Sequence, residues 1–353
     1  NLHIRTDVRT AIADAGIPLA EVTTDFDGDA RDAETPDIGA DEGDFFPPAP
    51  DPVTINPVFE LNDNNKNLPD WWNPGYFHRG IAIGNGHIYL VGAEDYNTYK
   101  TEVRVLDAKT GNDIDGGKFL SLEGVTNNGF HKLYDIAVDD DGVIVAANKT
   151  HNKWHPFKVY KWDTEESDPE VLINFSNNPE GYRLSDKFTV VGSVNGNGAI
   201  YAAISGTNKV LYWAITDGVP VETPETVEIS DIETFGNIAG VDVFGENMIV
   251  NGFQVQPTLV NMNGEMIGEF ELGTGNSVIK TVSCQSQTLA ATLSWAGSSK
   301  IIDLSDGADV SFLFASTGSM GTIANVEGSG DIDFTTENGI LRMAVLGTNN
   351  GFA

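Results

Sequence analysis

Positive charge is scarce in this sequence. Lys and Arg together number only 20 among 353 residues, against 52 Asp and Glu, so the formal net charge is −32. Binding to the phosphate backbone of DNA or RNA needs a basic surface, and the composition therefore argues against nucleic acid as a partner. Such acidity suits a soluble extracellular or salt-tolerant protein, or one that collects divalent cations.

Cysteine, long apolar runs and helical patterns are also scarce. The one cysteine, Cys284, cannot form an internal disulfide, and in IKTVSCQS it has the position of a strand residue. No apolar run approaches the ~18 residues of a membrane helix, and no signal peptide is evident. Only VRTAIADAG, Val8 to Gly16, is compatible with a helix. The sequence therefore predicts no transmembrane segment and a core built from β-strands.

The composition changes once along the chain. Residues 1–44 are acidic and rich in turn-forming residues, and the prolines that follow make residues 45–57 a stiff, extended linker. From residue 58 onward, short β-branched or alternating runs recur, bounded by Asn, Asp and Gly. Residues 58–353 are therefore predicted to form the main, all-β domain.

The apolar runs of this domain repeat at intervals of roughly 50 residues, with one shorter interval. The first strand of each unit is predicted near Ile81, Ile136, Phe188, Val241, Ile279 and Ile332, and the second near Ile88, Val143, Ile200, Met248, Leu289 and Ile340. Six units of four strands predict a six-bladed β-propeller. The last unit has no visible outer strands, so the strand in PVFEL, from Val58, is predicted to join it and close the ring.

Two stretches resemble known families. DFDGDARDAETPDIGADE, Asp25 to Glu42, resembles the terminal signature of right-handed parallel β-helix surface proteins. The chain from about Val58, with WWNPGYFHRGIAI, VRVLDAKTG and VLGTNNGFA, resembles an uncharacterised propeller family of secreted Bacteroidetes proteins.

These resemblances imply a location and a processing route. They imply that residues 1–44 are the C-terminal remnant of a β-helix-type region, and that the chain is an extracellular or cell-surface fragment of a longer protein. In such proteins a C-terminal sorting domain commonly hands the chain to the type IX secretion machinery. The resemblance implies no catalytic residues.

The acidic N-terminal segment contains a candidate calcium loop. Asp25, Asp27 and Asp29 have the alternating carboxylates that Ca²⁺ needs as hard oxygen ligands. The second half departs from the pattern, because position six is Ala30 rather than Gly and position twelve is Pro36 rather than Glu. Ca²⁺ binding and simple capping of turns by these carboxylates both stay open.

A second candidate metal pattern has little support in the sequence, and two common catalytic motifs are absent from it. His151 and His155 in HNKWH have metal spacing only on a helix, and the Asn and Pro around them predict a surface hairpin instead. Neither a nucleophile elbow nor a phosphate-binding loop followed by a helix is present.

A short basic motif precedes three of the predicted inner strands. GYFHRGIAIG, GFHKLYDIAV and GYRLSDKFTV each carry Gly, an aromatic residue and then a basic residue. In a propeller these basic side chains are expected on one face around the central channel: His78, Arg79, His131, Lys132 and Arg183. They could bind an anion such as a carboxylate or sulfate. Alternatively, each pairs with a nearby acid such as Asp135 or Asp186 and fastens neighbouring blades.

Aromatic residues beside this motif suit stacking on sugar rings, although Trp162 and Trp213 alternate within strands as core packing requires. The candidate ligand-binding residues are Trp71, Trp72, Tyr76, His78, Arg79, His131, Lys132, Tyr182 and Arg183.

Two functions follow from these residues. The first is a non-catalytic, cell-surface or secreted adhesion module that recognises glycans or another surface component. The alternative is a polysaccharide lyase or glycoside hydrolase with its site over the channel. A lyase would need a Tyr or His base beside the cations, and a hydrolase two acids roughly 5 to 10 Å apart. Binding is favoured because no cluster of catalytic residue types interrupts the repeat.

Overall fold

The described residues contain twenty-six β-strands and no helix. The computed structural model describes residues 10, 12–43, 53–75, 77–93, 100–126, 131–150, 154–176, 181–270, 272, 278–284, 287–294, 297–304, 312–323 and 329–353. No helix in this part of the chain has the length and apolarity that a membrane crossing requires.

The strands form six antiparallel sheets, one per blade, with one parallel strand added. Two short strands come first, β1 (Val53–Thr54) and β2 (Leu61–Asn62). Blade 1 contains β3 (His78–Gly84), β4 (His87–Gly92), β5 (Glu102–Asp107) and β6 (Asp113–Phe119). Blade 2 contains β7 (His131–Val138), β8 (Ile144–Lys149), β9 (Phe157–Trp162) and β10 (Glu170–Phe175). Blade 3 contains β11 (Phe188–Gly192), β12 (Gly198–Ala203), β13 (Lys209–Thr216), β14 (Val219–Pro220) and β15 (Glu225–Glu228).

The remaining blades follow the same order. Blade 4 contains β16 (Gly240–Phe244), β17 (Asn247–Gly252), β18 (Val255–Asn261) and β19 (Met266–Glu269). Blade 5 contains β20 (Ile279–Cys284), β21 (Gln287–Leu293), β22 (Ser299–Asp303) and β23 (Phe312–Ser316). Blade 6 contains β24 (Gly330–Glu337), β25 (Ile340–Gly347) and β26 (Gly351–Phe352).

The first strand of each blade lies against the first strands of both neighbouring blades, so the six sheets surround one central channel. The predicted six-bladed β-propeller is therefore confirmed. Every predicted first-strand position lies in β3, β7, β11, β16, β20 or β24, and the predicted second strands match as well, with Val143 one residue ahead of β8.

The ring is closed by an N-terminal strand, as predicted, but this strand shares only Leu61 with the predicted PVFEL. β2 pairs antiparallel with β26 through Leu61–Phe352 and Asn62–Gly351, and so becomes the outermost strand of blade 6. Val58 to Glu60 lie outside any strand. Pro57, which has no backbone N–H to donate, lies in the segment between the two short strands. Blade 6 also has a third strand, β26, that the sequence did not reveal.

Blade 5 gains a strand from the same region. β1 pairs in parallel with β23 through Val53–Ala315 and Thr54–Ser316. The segment from residue 53 to residue 62 therefore crosses from blade 5 to blade 6 on the outside of the ring. This crossing was not predicted, because a two-residue strand leaves no periodic pattern in the sequence.

Two hairpin turns show why short strands can follow each other so closely. Asn85 and Gly86 connect β3 to β4 with φ angles of 55° and 78°, and Asn338 and Gly339 connect β24 to β25 with 52° and 76°. Positive φ at both central residues defines the turn whose twist matches an antiparallel hairpin, and Asn-Gly adopts it at low cost. The first and second strands of these blades are thereby held in register.

The core lies between blades. Trp162 and Trp213 are fully buried, Trp162 between blades 1 and 2 and Trp213 between blades 2 and 3. The indole Nε1 of Trp162 donates to the backbone oxygen of Ser121 at 2.8 Å. Both tryptophans therefore pack in the core, as their alternation within strands predicted. The segment of His155 connects β8 to β9, also as predicted, whereas His151 lies outside the described residues.

The N-terminal segment has little regular structure. Residues 12–43 form turns and bends, with a single β-bridge between Thr24 and Ala30. Ile12 to Asp14 form a turn in the region where the sequence was compatible with a helix.

Candidate functional site

The wall of the central channel is built from charged side chains. The first strands of blades 2, 4 and 6 carry aspartates, and each accepts a hydrogen bond from a backbone N–H in the first strand of the next blade. An inner strand has one edge without a partner strand, so its N–H groups need acceptors, and these carboxylates supply them. The bonds are Phe188 to Asp135 (2.9 Å), Thr281 to Asp242 (2.5 Å), Ile81 to Asp331 (2.8 Å) and Ile83 to Asp333 (2.9 Å).

Blades 1, 3 and 5 supply cations to the same wall, namely Arg79, Lys187 and Lys280. The Nζ of Lys187 lies 2.7 Å from Asp135 and 3.1 Å from Asp331, and thus joins blade 3 to blades 2 and 6. Burial opposes the charge of Lys187, but the two carboxylates outweigh it and raise its pKa to about 12. The sign of the charge therefore alternates from blade to blade around the channel.

The carboxylates of blade 6 are less acidic than free aspartate. Burial raises the pKa of Asp333 to about 6, against the opposing effect of Lys280. Burial likewise raises the pKa of Asp331 well above its ordinary value, although Lys187 opposes it. At neutral pH the channel therefore contains a carboxyl group that is close to its titration range.

At the end of the channel where the first strands begin, which we call the mouth, a tyrosine lies between two cations. The guanidinium carbon of Arg79 lies 5.5 Å from the ring centre of Tyr134, and the Nζ of Lys149 lies 4.1 Å from it. Arg79 also donates to the Oγ of Ser329 at 2.7 Å. The ring of His131 stacks on Tyr134 at 5.3 Å. All these side chains are buried, so this part of the mouth is a packed assembly.

A single carboxylate connects the cations of blades 2 and 3. Asp186, whose side chain is fully buried, accepts from Nε and Nη2 of Arg183 at 2.6 and 2.7 Å and lies 2.8 Å from Nζ of Lys149. The Oγ of Ser205 donates to it at 2.5 Å. Burial would raise the pKa of Asp186, but Lys149 and Arg183 outweigh burial and lower it. Asp186 therefore stays ionised and fixes the position of Arg183.

The basic residues of the repeated motif differ in their exposure. His78, Arg79 and His131 are buried, whereas Lys132 and Arg183 are half-buried. Arg183 pairs with Asp186, as the blade-fastening interpretation describes, whereas Arg79 donates to Ser329. The lysines that join the blades, Lys149 and Lys187, were not singled out from the sequence. Lys187 could have been found, because it directly precedes an inner strand in GYRLSDKFTV.

The aromatic residues before blade 1 pack against the propeller. The ring of Trp72 is buried and stacks on His78 with 4.2 Å between ring centres, and its Nε1 donates to the backbone oxygen of Asn349 at 3.4 Å. Trp71 is half-buried, and its ring centre lies 4.2 Å from the guanidinium carbon of Arg104. Tyr76, the third aromatic candidate of this group, lies outside the described residues.

His78 is neutral in this environment. Burial, together with the positive charges of Arg104 and Lys100, lowers its pKa to about 3. Its Nδ1 is buried and has no hydrogen-bond partner within the described part of the chain, while its Nε2 accepts from the backbone N–H of Asn73 at 3.4 Å.

Among the tryptophans that the structure describes, the most exposed lies beside the mouth. Trp154 is 78% exposed and belongs to the hairpin between β8 and β9. Thr150 and Leu184 exchange backbone hydrogen bonds of 3.2 and 2.9 Å, which brings this hairpin alongside the segment of Tyr182 and Arg183. The hairpin that carries Trp154 and the segment of Tyr182 and Arg183 are therefore neighbours on one side of the propeller.

In the candidate calcium loop, backbone N–H groups donate hydrogen bonds to the first carboxylate. Asp25 accepts hydrogen bonds from the N–H groups of Asp27 (2.9 Å), Asp29 (2.8 Å) and Glu42 (3.0 Å). The carboxylates that approach within 4.8 Å of one another belong to Asp25, Asp27 and Asp41, so Asp29 is outside this group. The N–H of Glu42, with those of Asp29 and Asp27, lowers the pKa of Asp25 although burial opposes it. Asp25 thus caps the turn, and its carboxylate also lies within reach of those of Asp27 and Asp41, so turn capping and cation binding are both compatible with this geometry.

The rest of the β-helix-like signature has the same structural role. Arg31 donates to the backbone oxygen of Asp37 at 2.9 Å and to the Oε2 of Glu42 at 3.1 Å, and also bonds the backbone oxygen of Gly39. Glu42 in turn accepts from the N–H groups of Asp32 and Asp37. The charged residues of the signature therefore hold its turns together.

Comparison with known families and proteins gives a partial match. The family described as "Domain of unknown function (DUF8500)" matches residues 124–249, which span blades 2 and 3 and the start of blade 4. No curated protein matches the sequence.

Solved structures include a similar propeller. A DUF4623 family protein from Bacteroides eggerthii has a TM-score of 0.62 and 20% identity, over 78% of this chain and 69% of that chain. The computationally designed Ika8 protein (TM-score 0.39, 10% identity, 78% and 69% covered) and prolyl endopeptidases (0.39, 12%, 76% and 39%) are less similar. At this identity the Bacteroides protein shows a shared fold and nothing more.

Proposed function

We propose that the protein is a non-catalytic ligand-binding or adhesion module that recognises a glycan or another surface component. The observation that supports this proposal is the 78% exposed side chain of Trp154, in a hairpin that the Thr150–Leu184 bridge holds alongside the segment of Tyr182 and Arg183. A flat aromatic face can stack on a sugar ring, and a guanidinium can bind a carboxylate or sulfate with paired hydrogen bonds. Asp186 holds Arg183 in a fixed position, so little side-chain entropy is lost on binding.

The proposal includes a location outside the cell or on its surface. Its support is the resemblance of the sequence to secreted Bacteroidetes propellers, together with the strongly acidic composition. Export through the type IX machinery by a C-terminal sorting domain is part of the same proposal. Fractionation of the source cells tests it, because recovery of the protein only from the cytoplasm would contradict it.

A glycan array with the whole chain tests the binding function. We expect binding to acidic glycans that is lost in Trp154→Ala and weakened in Arg183→Gln, and that decreases with added salt because exposed charges are screened beyond ~8 Å at physiological ionic strength. Phe26→Ala is the matched control, since Phe26 is an aromatic side chain with 81% exposure on the N-terminal segment. Equal binding by all variants would place the ligand elsewhere on the molecule.

The alternative, a polysaccharide lyase, has one observation in its favour. Tyr134 lies between Arg79 and Lys149 with His131 stacked on it, and a Tyr or His beside cations is what such an enzyme needs. However, Tyr134 is only 3% exposed, so a polymer cannot reach its hydroxyl without rearrangement. The test is ultraviolet absorbance of unsaturated products from acidic polysaccharides. Product formation by the wild type and none by Tyr134→Phe would favour the enzyme.

A further inference from the structure

Among the described residues, blade 6 has no outer neighbour along half of its second strand. β26 pairs only with the last residues of β25, through Leu346–Phe352 and Gly347–Gly351. Val345 and Ala353 then exchange two backbone hydrogen bonds of 3.0 Å. From Ile340 to Ala344, no strand in the described part of the chain pairs with the outer side of β25. Residues 340–344 therefore form an open strand edge.

The open edge presents unused backbone hydrogen-bonding groups. In an antiparallel sheet, alternate residues direct their N–H and C=O toward the same neighbour. Because Val345 faces outward to Ala353, Met343 and Leu341 face outward as well. Neither makes an outward backbone hydrogen bond within the described residues. These donors and acceptors are arranged to receive another strand.

An apolar cavity of about 310 Å³ adjoins this edge. Leu341 and Met343 form one wall of the cavity. Ile83 of blade 1 and Ile301 of blade 5 form two further walls, and the crossing segment 55–60 lies on the outside. A volume of this size is within the range of small ligand sites. The unbranched Met343 side chain adapts readily to different apolar partners. The cavity lies toward the end of the blade with the β24–β25 turn, away from the mouth and Trp154.

We propose that this edge and cavity form an acceptor site for an extended, apolar peptide strand from another polypeptide. The strand would run antiparallel to β25, in line with β26, and would place alternate side chains in the cavity. A small apolar molecule could fill the cavity but would leave the N–H and C=O groups of Leu341 and Met343 unpaired. A strand satisfies both requirements, since main-chain bonds give affinity and pockets for alternate side chains give selectivity.

The backbone requirement is tested with two fluorescein-labelled peptides and the whole chain, measured by fluorescence anisotropy. The first peptide is Val-Thr-Val-Thr-Val, and the second is the same sequence with N-methyl groups on its amides. We expect the first to bind and the methylated peptide to bind about tenfold more weakly or not at all, because it cannot donate to the edge. Equal binding by both peptides would mean that only the apolar cavity is used, and would overturn the proposal. Absence of binding by both would overturn it too.

Two substitutions at one position test the location. Met343→Pro removes the outward N–H without removing a bond to β24, whereas Met343→Ala shortens the side chain and keeps the N–H. We expect Met343→Pro to weaken peptide binding about tenfold relative to Met343→Ala. Circular dichroism melts show whether Met343→Pro folds; if it does not, the methylated peptide alone decides the question. Equal affinity in the two folded variants would contradict the site.

Discussion

The carboxylate of Asp331 accepts a hydrogen bond from the backbone N–H of Ile81 at 2.8 Å, across the seam where the last blade meets the first. Two residues further along both strands, Asp333 accepts from the N–H of Ile83 at 2.9 Å. The Oγ1 of Thr348 donates to the backbone oxygen of His78 at 2.9 Å on the same seam. Ring closure therefore depends on side chains inside the channel as well as on β2 at the outer edge.

Replacing Asp331 should weaken the closed ring. In Asp331→Ala the N–H of Ile81 loses its acceptor, and the buried ammonium of Lys187 keeps only Asp135 as an ionic partner. Leaving a buried donor without its acceptor costs roughly 1–3 kcal/mol. We expect this loss in the free energy of unfolding, measured by chemical denaturation. Glu222→Ala, an exposed position, is the control, and an equal loss in both variants would contradict the role of Asp331.

Asp333 should make stability depend on pH in an unusual direction. Its pKa is raised from 3.8 to about 6 in the folded protein, so the folded state holds a proton that the unfolded state has released. The contribution of Asp333 to the free energy of unfolding is therefore fully present below pH 4 and is lost as the pH rises through about 6. We expect Asp333→Asn, which still accepts from Ile83, to gain roughly 3 kcal/mol relative to wild type between pH 4 and pH 7. A difference that does not change with pH would refute this.

The strands of the blades were easier to predict from the sequence than the charged side chains that line the channel. Alternating apolar runs and Asn-Gly turns depend on local residues, so first strands such as those of Ile81 and Phe188 could be placed directly. The closing strand β2 was found near its true place but three residues early, because a two-residue strand has no period of its own. The third strand of blade 6 was missed for the same reason.

The charged wall could not be predicted, because its members are far apart in the sequence. Asp331 and Ile81 are 250 positions apart, and only closure of the ring brings them together. Asp186 was correctly named as a candidate partner for a basic residue, since Arg183 lies only three positions before it. The pairing of Lys187 with Asp135 needed the geometry of two neighbouring blades.

His78 should make the protein sensitive to acid. Its pKa is lowered from 6.5 to about 3 when folded, so below pH 6.5 the unfolded chain binds a proton that the folded chain does not. Stability from this group is therefore present above pH 6.5 and is lost as the pH falls toward 3. His78→Phe keeps a ring against Trp72 but cannot titrate. We expect the wild type to lose roughly 3 kcal/mol more than His78→Phe between pH 7 and pH 4, measured by denaturation at each pH.

Asp186 allows the structural and ligand-binding roles of the mouth to be separated. Asp186→Asn removes the charge that Lys149 and Arg183 share, leaving two cations close together around a buried amide. We expect a loss of roughly 3 kcal/mol in the free energy of unfolding. Arg183→Gln should cost far less, because Arg183 is half-buried and Lys149 still neutralises Asp186.

The two variants, measured together by thermal melts and by glycan binding, give distinct outcomes. If Arg183 binds a ligand, Arg183→Gln binds more weakly while its melting temperature stays within a few degrees of wild type. If Arg183 only fastens blade 3 through Asp186, both variants lose stability and neither changes binding. The same comparison applied to Arg79→Gln and Lys132→Gln divides the predicted basic residues into those that contact a ligand and those that hold the blades. A stable Asp186→Asn would contradict the role given to the buried carboxylate, since the charge it neutralises would then have another partner.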